Sequence, residues 1–236
     1  MSAATDALPR GSVPSSDDTM AGVVHGAVIR TRYYDDFLLD ACDRGCRQVV
    51  LVGAGLDGRA YRLPWPVGVR WWEIDLPEVL AFKEQVLVAV AALPRCQRFT
   101  VAADVRAAWP QLLLDAGLRR GEQTAWLLEG LLTYLTADEA ARLLAGIAEL
   151  CSHGSRLACE EPAARGDGHP QQPVTPRLAP FAAMWKGGLG VPTSQWLIER
   201  GWQVQVASRS AVSARLGRPA PLPSDGGYLT AVWSAS

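Results

Sequence analysis

Apolar and polar positions follow two different periods along this chain. Five apolar runs, each too short for a helix, predict buried β-strands at 49–52, 69–74, 98–103, 124–130 and 155–161. Longer amphipathic stretches predict helices at 29–42, 76–92, 106–116 and 137–151. Because the five strands alternate with helices, they indicate a parallel sheet with right-handed crossovers.

The first strand leads directly into a glycine-rich turn at 53–58, with the sequence GAGLDG. Gly53 and Gly55 allow a sharp turn and let a ligand approach the backbone closely. The second strand ends in Asp75, whose carboxylate can accept hydrogen bonds from two ribose hydroxyls. The combination of strand, glycine turn, strand and acid predicts a nucleoside-binding α/β half-domain.

The C-terminal part of the chain distinguishes between two folds that bind nucleosides in this manner. Segments 203–208 and 228–233 alternate as strands without a helical pattern between them, which predicts an antiparallel pair at one edge of the sheet. A dinucleotide-binding fold would need a second βαβαβ half instead. We therefore expect the class I fold of methyltransferases that use S-adenosylmethionine (SAM). This α/β fold is Rossmann-like, with a seven-stranded, mostly parallel sheet, a terminal antiparallel pair and helices on both faces.

The chain length of 236 residues predicts one α/β domain with a sizeable core. Residues 1–18 are rich in Ser, Ala, Pro and Asp and have no apolar period, so we expect a flexible tail there. Residues 19–236 are the expected methyltransferase domain. Within it, 162–190 is a long stretch rich in Pro and Gly, which predicts a lid or substrate loop.

Composition and charge argue against several classes of function. The formal net charge of −1 offers no basic surface to nucleic acid or to an anionic membrane. No run of about 18 apolar residues and no signal-peptide pattern occurs, so we expect a cytoplasmic location. The five cysteines are scattered without metal-ligand spacing, and we expect no metal site. The oligomeric state stays open.

Further candidate site residues lie at strand ends and on the first helix. Asp104 and Glu129 end strands, where ligands bind in open parallel sheets. Asp104 could meet an adenine amino group, and it could also cap the helix that follows. Arg30 and Arg32 could bind a ligand carboxylate, or they could be solvated surface charges.

Four segments of the chain, in this order, resemble a known family: RTRYYDDFLLDA at 30–41, VVLVGAGLDGRAYRLPWP at 49–66, WEIDLPEVLAFK at 72–83 and AWLLEGLLTYL at 125–135. They strongly resemble the leucine carboxyl methyltransferase superfamily, and more closely its bacterial branch of SAM-dependent O-methyltransferases. The likeness runs from about 28 to 161 and resumes more weakly at 185–202.

The resemblance implies SAM as the cofactor and assigns the contacts to its methionine part. Arg32, or alternatively Arg30, would bind the SAM carboxylate, and Glu129 would bind the amino group. The residues that would line the methionine and ribose part are Gly53, Ala54 and Gly55.

The resemblance also assigns the nucleoside end of the cofactor. Asp75, followed by Leu76, would hold the ribose hydroxyls, and Asp104 and Val105 would contact the adenine. Two departures accompany this assignment. Gly58 stands where relatives commonly carry Thr or Ser, and the segment ahead of the first motif is short.

The expected activity is methyl transfer to a carboxylate or hydroxyl of a small molecule, with an aromatic natural product as one acceptor class. A carboxylate is already ionised at pH 7 and needs no base, whereas a hydroxyl needs one. His169, in the predicted lid, is the candidate base, and its alternative is a solvated loop histidine. Tyr134 is a candidate for the acceptor site, and its alternative is a core aromatic residue.

Two other functions stay open at this point. A SAM-binding family member that no longer transfers methyl, acting as a pathway partner, is motivated by Gly58 and the short N-terminal segment. An NAD(P)-dependent oxidoreductase is motivated by the complete G-x-G-x-x-G pattern. However, neither Lys83 nor Lys186 lies in a Tyr-x-x-x-Lys motif.

Overall fold

The computed structural model describes residues 16–162, 183–219 and 226–234. The strands in these ranges are β1 (Gln48–Val52), β2 (Arg70–Asp75), β3 (Gln97–Ala102), β4 (Thr124–Leu128), β5 (Arg156–Glu161), β6 (Trp202–Ser208) and β7 (Gly227–Trp233). The helices are α1 (Ser16–Asp43), α2 (Arg59–Arg62), α3 (Pro77–Ala89), α4 (Pro110–Asp115), α5 (Ala137–Leu150), α6 (Thr193–Ile198) and α7 (Arg209–Arg215), and a 3₁₀ helix spans Leu132–Tyr134.

The strands form one seven-stranded sheet in the order β3-β2-β1-β4-β5-β7-β6. Strands β1 to β5 pair in parallel, and β7 pairs antiparallel with both β5 and β6. The predicted mostly parallel sheet with an antiparallel pair at one end is therefore confirmed. Every residue of the central strands β1 and β4 is buried, as expected for strands with helices on both faces.

The sheet separates two hydrophobic cores, because successive side chains of a strand point to opposite faces. On one face, Val50 and Val52 pack with the apolar residues of α4, α5 and α6. On the other face, Val49 and Leu51 pack with α1. None of the helices in the described ranges has the length and apolarity that crossing a bilayer requires.

Two helix boundaries and one additional helix differ from the sequence prediction. The first helix begins at Ser16, inside the stretch 1–18 that was expected to be a flexible tail. The expected helix at 106–116 begins only at Pro110, which occupies the first helical turn, where a missing N–H costs little. The link between β6 and β7 contains α7, although we expected no helix there. Ser208 caps it by accepting a hydrogen bond from the Ala211 N–H at 3.2 Å.

Candidate cofactor and active site

The glycine turn folds back over the carboxyl end of β2. Gly53 and Ala54 each donate a backbone hydrogen bond to the Ile74 carbonyl, at 2.9 and 3.0 Å. Gly53 and Gly55 have φ values of +70° and +48°, the left-handed region that favours glycine. A Cβ atom on Gly55 would meet nothing within 4 Å, so this residue borders open space rather than packed protein.

Asp75 is fixed beside this turn at the end of β2. Its Oδ2 accepts a hydrogen bond from the Gly55 N–H at 2.6 Å, and its Oδ1 accepts one from the Leu76 N–H at 2.7 Å. A carboxylate has about four lone-pair positions, so each oxygen can accept a further hydrogen bond. The structure thus brings Gly55, Asp75 and Leu76 together and leaves acceptors for two hydroxyl groups.

A set of charged side chains, which we call the arginine cluster, lies on the other side of the turn. Its members are Arg30, Asp35, Asp57, Arg59, Arg62, Glu129 and Glu160. Glu129 is held between two guanidinium groups. Its Oε1 accepts a hydrogen bond from Arg30 Nε at 2.7 Å, and its Oε2 lies 2.8 Å from Arg59 Nη1. Arg30 also reaches Glu160 Oε1, at 3.4 Å.

Arg59 is the most deeply buried arginine of the cluster, with 3% of its side chain exposed. Its Nε donates to Asp35 Oδ1 at 2.7 Å, and its Nη1 contacts Asp57. Burial opposes the charge, but the carboxylates of Asp57 and Glu129 outweigh it and raise the pKa of Arg59. Because a buried unpaired charge is costly, we infer that these carboxylates hold Arg59, and that Arg59 in turn holds Glu129.

A cavity of about 390 Å³ opens between the glycine turn and the arginine cluster. It is lined by Leu51, the whole turn at 53–58, Arg30, Thr31, Arg59, Arg62 and Glu129. The cavity therefore gathers Gly53, Ala54, Gly55, Arg30 and Glu129 from the predicted site. It also lies at the carboxyl edge of the parallel strands, where ligands bind in open α/β sheets.

The structure brings Arg30, the second choice for the carboxylate-binding arginine, to the cavity, and does not bring Arg32, the first choice, there. The two residues lie about 200° apart around α1. Arg32 points away from the cavity: its side chain is 65% exposed, and its Nε lies 2.9 Å from Asp36 Oδ1. Arg30 lines the cavity beside Glu129, and which of the two arginines binds the SAM carboxylate stays a prediction.

Asp104 and Val105 follow β3. In the sheet, β2 separates β3 from β1, the strand that leads into the glycine turn. Asp104 accepts hydrogen bonds from the backbone N–H and the Nε of Arg106, at 2.9 and 2.8 Å. The Arg106 guanidinium holds the pKa of Asp104 below its usual range. The alternative role as a helix cap is wrong, because α4 begins at Pro110 after Trp109. Val105 packs against a hydrophobic core. Neither residue lines the cavity, and their contact with adenine stays a prediction.

Of the two candidate catalytic residues, Tyr134 lies in the described part of the chain and His169 does not. Tyr134 is half-buried in the 3₁₀ helix Leu132–Tyr134 and does not line the cavity. His169 and most of the predicted lid at 162–190 lie outside the described residues. The described end of that stretch is tied to the 3₁₀ helix, since Lys186 N–H donates to the Thr133 carbonyl at 2.8 Å.

Sequence reasoning missed Asp35, Asp57, Arg59 and Glu160. A signal for Asp35 was available, because it lies four residues after Thr31 and three before Leu38, on the buried face of an amphipathic helix. An acidic residue on such a face needs a charged partner. No comparable local signal marks Arg59, whose partner Asp35 is 24 residues away in sequence.

Comparison with solved structures defines the class of the fold. The magnesium protoporphyrin IX methyltransferase of Synechocystis, solved with bound SAM, aligns with a TM-score of 0.54 at 14% identity, covering 95% of this chain and 87% of that one. The fold is that of class I SAM-dependent methyltransferases, as predicted.

Sequence comparison then defines the family. A model of the leucine carboxyl methyltransferase family matches residues 2–148. A Frankia alni protein, named provisionally as a SAM-dependent methyltransferase, is 50% identical over 210 residues, or 88% of this chain and 74% of its own length. A Parafrankia protein with a similar provisional name is 47% identical over 206 residues, or 86% of this chain and 66% of its own length. The chain belongs to the leucine carboxyl methyltransferase family, and SAM is confirmed as the cofactor at the level of family and fold.

Proposed function

We propose that the protein is a SAM-dependent O-methyltransferase that methylates a carboxylate or hydroxyl of a small molecule, with aromatic natural products as an acceptor class. The observation that carries this proposal is the Arg30–Glu129 pair, which lines the same cavity as the glycine turn. A guanidinium and a carboxylate side by side match the carboxylate and the ammonium of the cofactor's methionine part. The small-molecule acceptor is proposed on the family resemblance, the absence of a nucleic-acid partner on the net charge of −1, and the cytoplasmic location on the lack of a run of about 18 apolar residues.

The residues present fit the cofactor in three respects. The open space beside Gly55 gives room for a ligand against the backbone. Asp75 has free lone pairs for two ribose hydroxyls while its backbone hydrogen bonds fix its orientation. The arginine cluster contains four carboxylates and three guanidiniums, and its excess of one negative charge suits a ligand that carries a sulfonium.

Bound SAM supplies a methyl group on a positively charged sulfur, which any oxygen nucleophile in line with the carbon–sulfur bond can attack. This chain's contribution is to position the reactants and to exclude water. Arg30 and Glu129 orient the methionine end, and Asp75 fixes the ribose. Positioning of this kind can lower a barrier by about 7–11 kcal/mol. Asp104 and Val105 are proposed for the adenine, Tyr134 for the acceptor wall and His169 for a base in the lid.

The proposal is tested by calorimetric titration of the purified protein with SAM, NADH and NADPH in separate experiments. We expect SAM to bind and the two nicotinamides not to bind. Methyl transfer is then measured with labelled SAM and panels of aromatic carboxylic acids and phenols. SAM binding without transfer to any acceptor would favour the non-catalytic family member. Nicotinamide binding without SAM binding would overturn the proposal.

A further inference from the structure

The expected cofactor contacts occupy only one half of the sheet edge. The glycine turn follows β1, Asp75 ends β2, and Asp104 follows β3. A ligand that spans these strands directs its reactive end toward β4, on the opposite side of β1. The acceptor must therefore approach over the other half of the edge, formed by β4, β5 and β7.

Glu160, near the carboxyl end of β5, lies on this acceptor half. It is the β5 partner of Tyr228 on β7, and its side chain is 18% exposed. Its two carboxylate oxygens share the Gly130 N–H, at 3.0 and 2.9 Å. The backbone N–H groups of Gly130 and of Glu160 itself, together with the Arg30 guanidinium at 3.4 Å, do not exhaust the four lone-pair positions of this carboxylate.

A buried hydroxyl without a partner points to the same place. Tyr34 is fully buried on α1, and its hydroxyl has no hydrogen-bond partner in the part of the chain that the structure describes. Burial first, and then the negative charge of Glu160, raises the pKa of Tyr34. The hydroxyl is thus a neutral donor within the electrostatic influence of Glu160, and an unpaired buried donor of this kind is costly unless a ligand or another group uses it.

Tyr33 and Tyr228 form an aromatic wall beside these two groups. Their rings stack with centroids 4.8 Å apart, and Tyr34 meets Tyr228 edge to face at 5.7 Å. Tyr33 is only partly buried. A flat aromatic acceptor could pack against such a surface, because offset stacking and edge-to-face contacts are both favourable.

We propose that Glu160, in place of the candidate His169, is the general base of this site and that the acceptor is a hydroxyl, with phenols as the best class, rather than a carboxylate. This assignment rests on the proposed methyl transfer. As the acceptor oxygen forms its bond to the methyl carbon, the carbon–sulfur bond breaks and sulfur keeps that electron pair. The hydroxyl proton passes to the Glu160 carboxylate, so the products are a methyl ether, the neutral thioether and protonated Glu160.

The charges around Glu160 favour a neutral acceptor. Glu129 already places a second carboxylate beside it, and Arg30 is shared between the two. A carboxylate acceptor would add a third negative charge at this point, whereas a hydroxyl adds none and donates a hydrogen bond. A phenol is favoured over an aliphatic alcohol because its pKa, about 10, is closer to that of the base.

The titration of Glu160 supports this role. The groups that face it are Arg30 and Tyr34 from α1, Glu129 directly after β4 and Tyr228 from β7. Burial raises the pKa of Glu160, and the Gly130 hydrogen bond and the Arg30 charge only partly oppose this effect. A base whose pKa lies nearer the working pH is a more effective proton acceptor.

The test compares Glu160→Gln with Glu161→Gln. Glu161 is the next residue on β5, so its side chain points to the opposite face, where it accepts hydrogen bonds from the Ser194 N–H and Oγ at 2.9 and 3.0 Å. Methyl transfer to phenols and to benzoates is measured as a function of pH, and SAM binding is measured by calorimetry. We expect kcat for phenols to fall about 10²–10⁴-fold in Glu160→Gln, a larger change than the change in SAM affinity. Glu161→Gln should keep the wild-type kcat and pH profile.

The pH profile separates a base from a structural residue. Wild-type kcat should fall as pH drops and Glu160 becomes protonated, and Glu160→Gln should lack this acidic limb. Glu160→Asp keeps a carboxylate and should retain the limb at a lower kcat. Equal activity and equal profiles in the Glu160 and Glu161 variants would overturn the assignment. So would wild-type transfer to benzoates alone, although the proposed function would then stand. If methyl were transferred neither to phenols nor to benzoates, both the Glu160 assignment and the proposed function would be overturned.

Discussion

Two clusters of buried charge in this protein are built from the same residue types but differ in how completely they are closed. The first, which we call the Glu73 cluster, consists of Glu73, Lys83 and Arg98 between β2, α3 and β3. Glu73 is fully buried, and both of its oxygens are used. Oε1 accepts from Trp71 Nε1 at 3.0 Å, and Oε2 accepts from Lys83 and Arg98 at 2.7 and 2.6 Å.

The arginine cluster is open by comparison. Arg30 has 38% of its side chain exposed, and Glu129 has 16% exposed, at the wall of a cavity. Beside the cluster, the Tyr34 hydroxyl lacks a partner among the described residues. Charges that are buried away from a cavity hold neighbouring elements together, whereas partly exposed charges at the wall of a cavity are available to a ligand. The difference in closure therefore distinguishes a stabilising network from a binding site more clearly than the residue types do.

The largest effect is expected when the closed cluster is broken. Glu73→Gln leaves Lys83 and Arg98 buried without their shared counter-charge, so the free energy of unfolding should fall by about 3–5 kcal/mol. Urea denaturation measures this change. The matched control is Glu84→Gln, since Glu84 also pairs with Arg98 but is 45% exposed. Its effect should be about 0–1 kcal/mol. Similar values for the two variants would contradict the distinction.

A change in the open cluster should affect binding. Arg30→Met removes the guanidinium expected to hold the cofactor carboxylate, and SAM affinity should fall about 10- to 100-fold, since a charge-assisted hydrogen bond contributes about 1.5–3 kcal/mol. Arg32→Met, two residues along the same helix, should leave SAM affinity unchanged because Arg32 pairs only with Asp36 among the described contacts. Calorimetric titration of both variants with SAM measures these affinities. A larger loss of SAM affinity in Arg32→Met than in Arg30→Met would support Arg32 as the residue that binds the SAM carboxylate.

The contributions of Glu73 and Glu160, one from each cluster, to the free energy of unfolding should change with pH in opposite directions. Although burial acts against it, pairing with Arg98 and Lys83 lowers the pKa of Glu73. Its stabilisation is present at neutral pH and is lost as pH falls through the folded-state pKa. The pKa of Glu160 is raised by burial, so its ionisation destabilises the folded state as pH rises through that raised value.

A pH series of urea denaturations tests these signs. At neutral pH, Glu73→Gln should be less stable than the wild type and Glu160→Gln more stable. Both differences should shrink as pH falls below the ordinary range of a glutamate, about 4.3. A Glu160→Gln variant that is less stable than the wild type at neutral pH would show that the ion pair with Arg30 outweighs the cost of burial.

The smallest effect is expected in the turn that borders the cavity. A Cβ on Gly58 meets nothing within 4 Å, and its φ of −108° suits any residue. Gly58→Ser should therefore raise the free energy of unfolding by about 0.4–1 kcal/mol, because serine restricts the unfolded chain. Gly55→Ser is the contrasting change, since φ is +48° there and an L-residue in that region costs about 1–2 kcal/mol. Urea denaturation of both should give changes of opposite sign.

The parts of the site that could be predicted from sequence are those fixed by neighbouring residues. Gly53, Gly55 and Asp75 were identified because a turn between two strands of a parallel sheet has few possible geometries. Sequence could not show which of Arg30 and Arg32 lines the cavity, because packing sets the rotation of α1 and local sequence does not encode it. Arg59 was missed because its burial depends on carboxylates from separate elements.

The fold could be predicted further than the site, with one instructive exception. The alternation of strands and helices predicted the parallel pairing of β1 to β5, since a helix between two strands forms a crossover connection. Helix α7 was missed because seven residues rich in Arg and Ser carry too little apolar pattern. Val212 is nevertheless buried, because tertiary packing supplies what local propensity does not.

The position of β7 bears on how this chain is made in the cell. β7 follows every other strand in sequence, yet it lies between β5 and β6. During synthesis, β5 and β6 leave the ribosome before β7, the strand with which both of them pair. Until β7 inserts, β5 presents an open row of backbone donors and acceptors, which is a template for aggregation. A premature stop codon ahead of Gly227 would make that exposure permanent, although the cofactor half of the sheet would be complete. Such truncated products should accumulate as aggregates or be degraded, rather than persist as half-active enzyme.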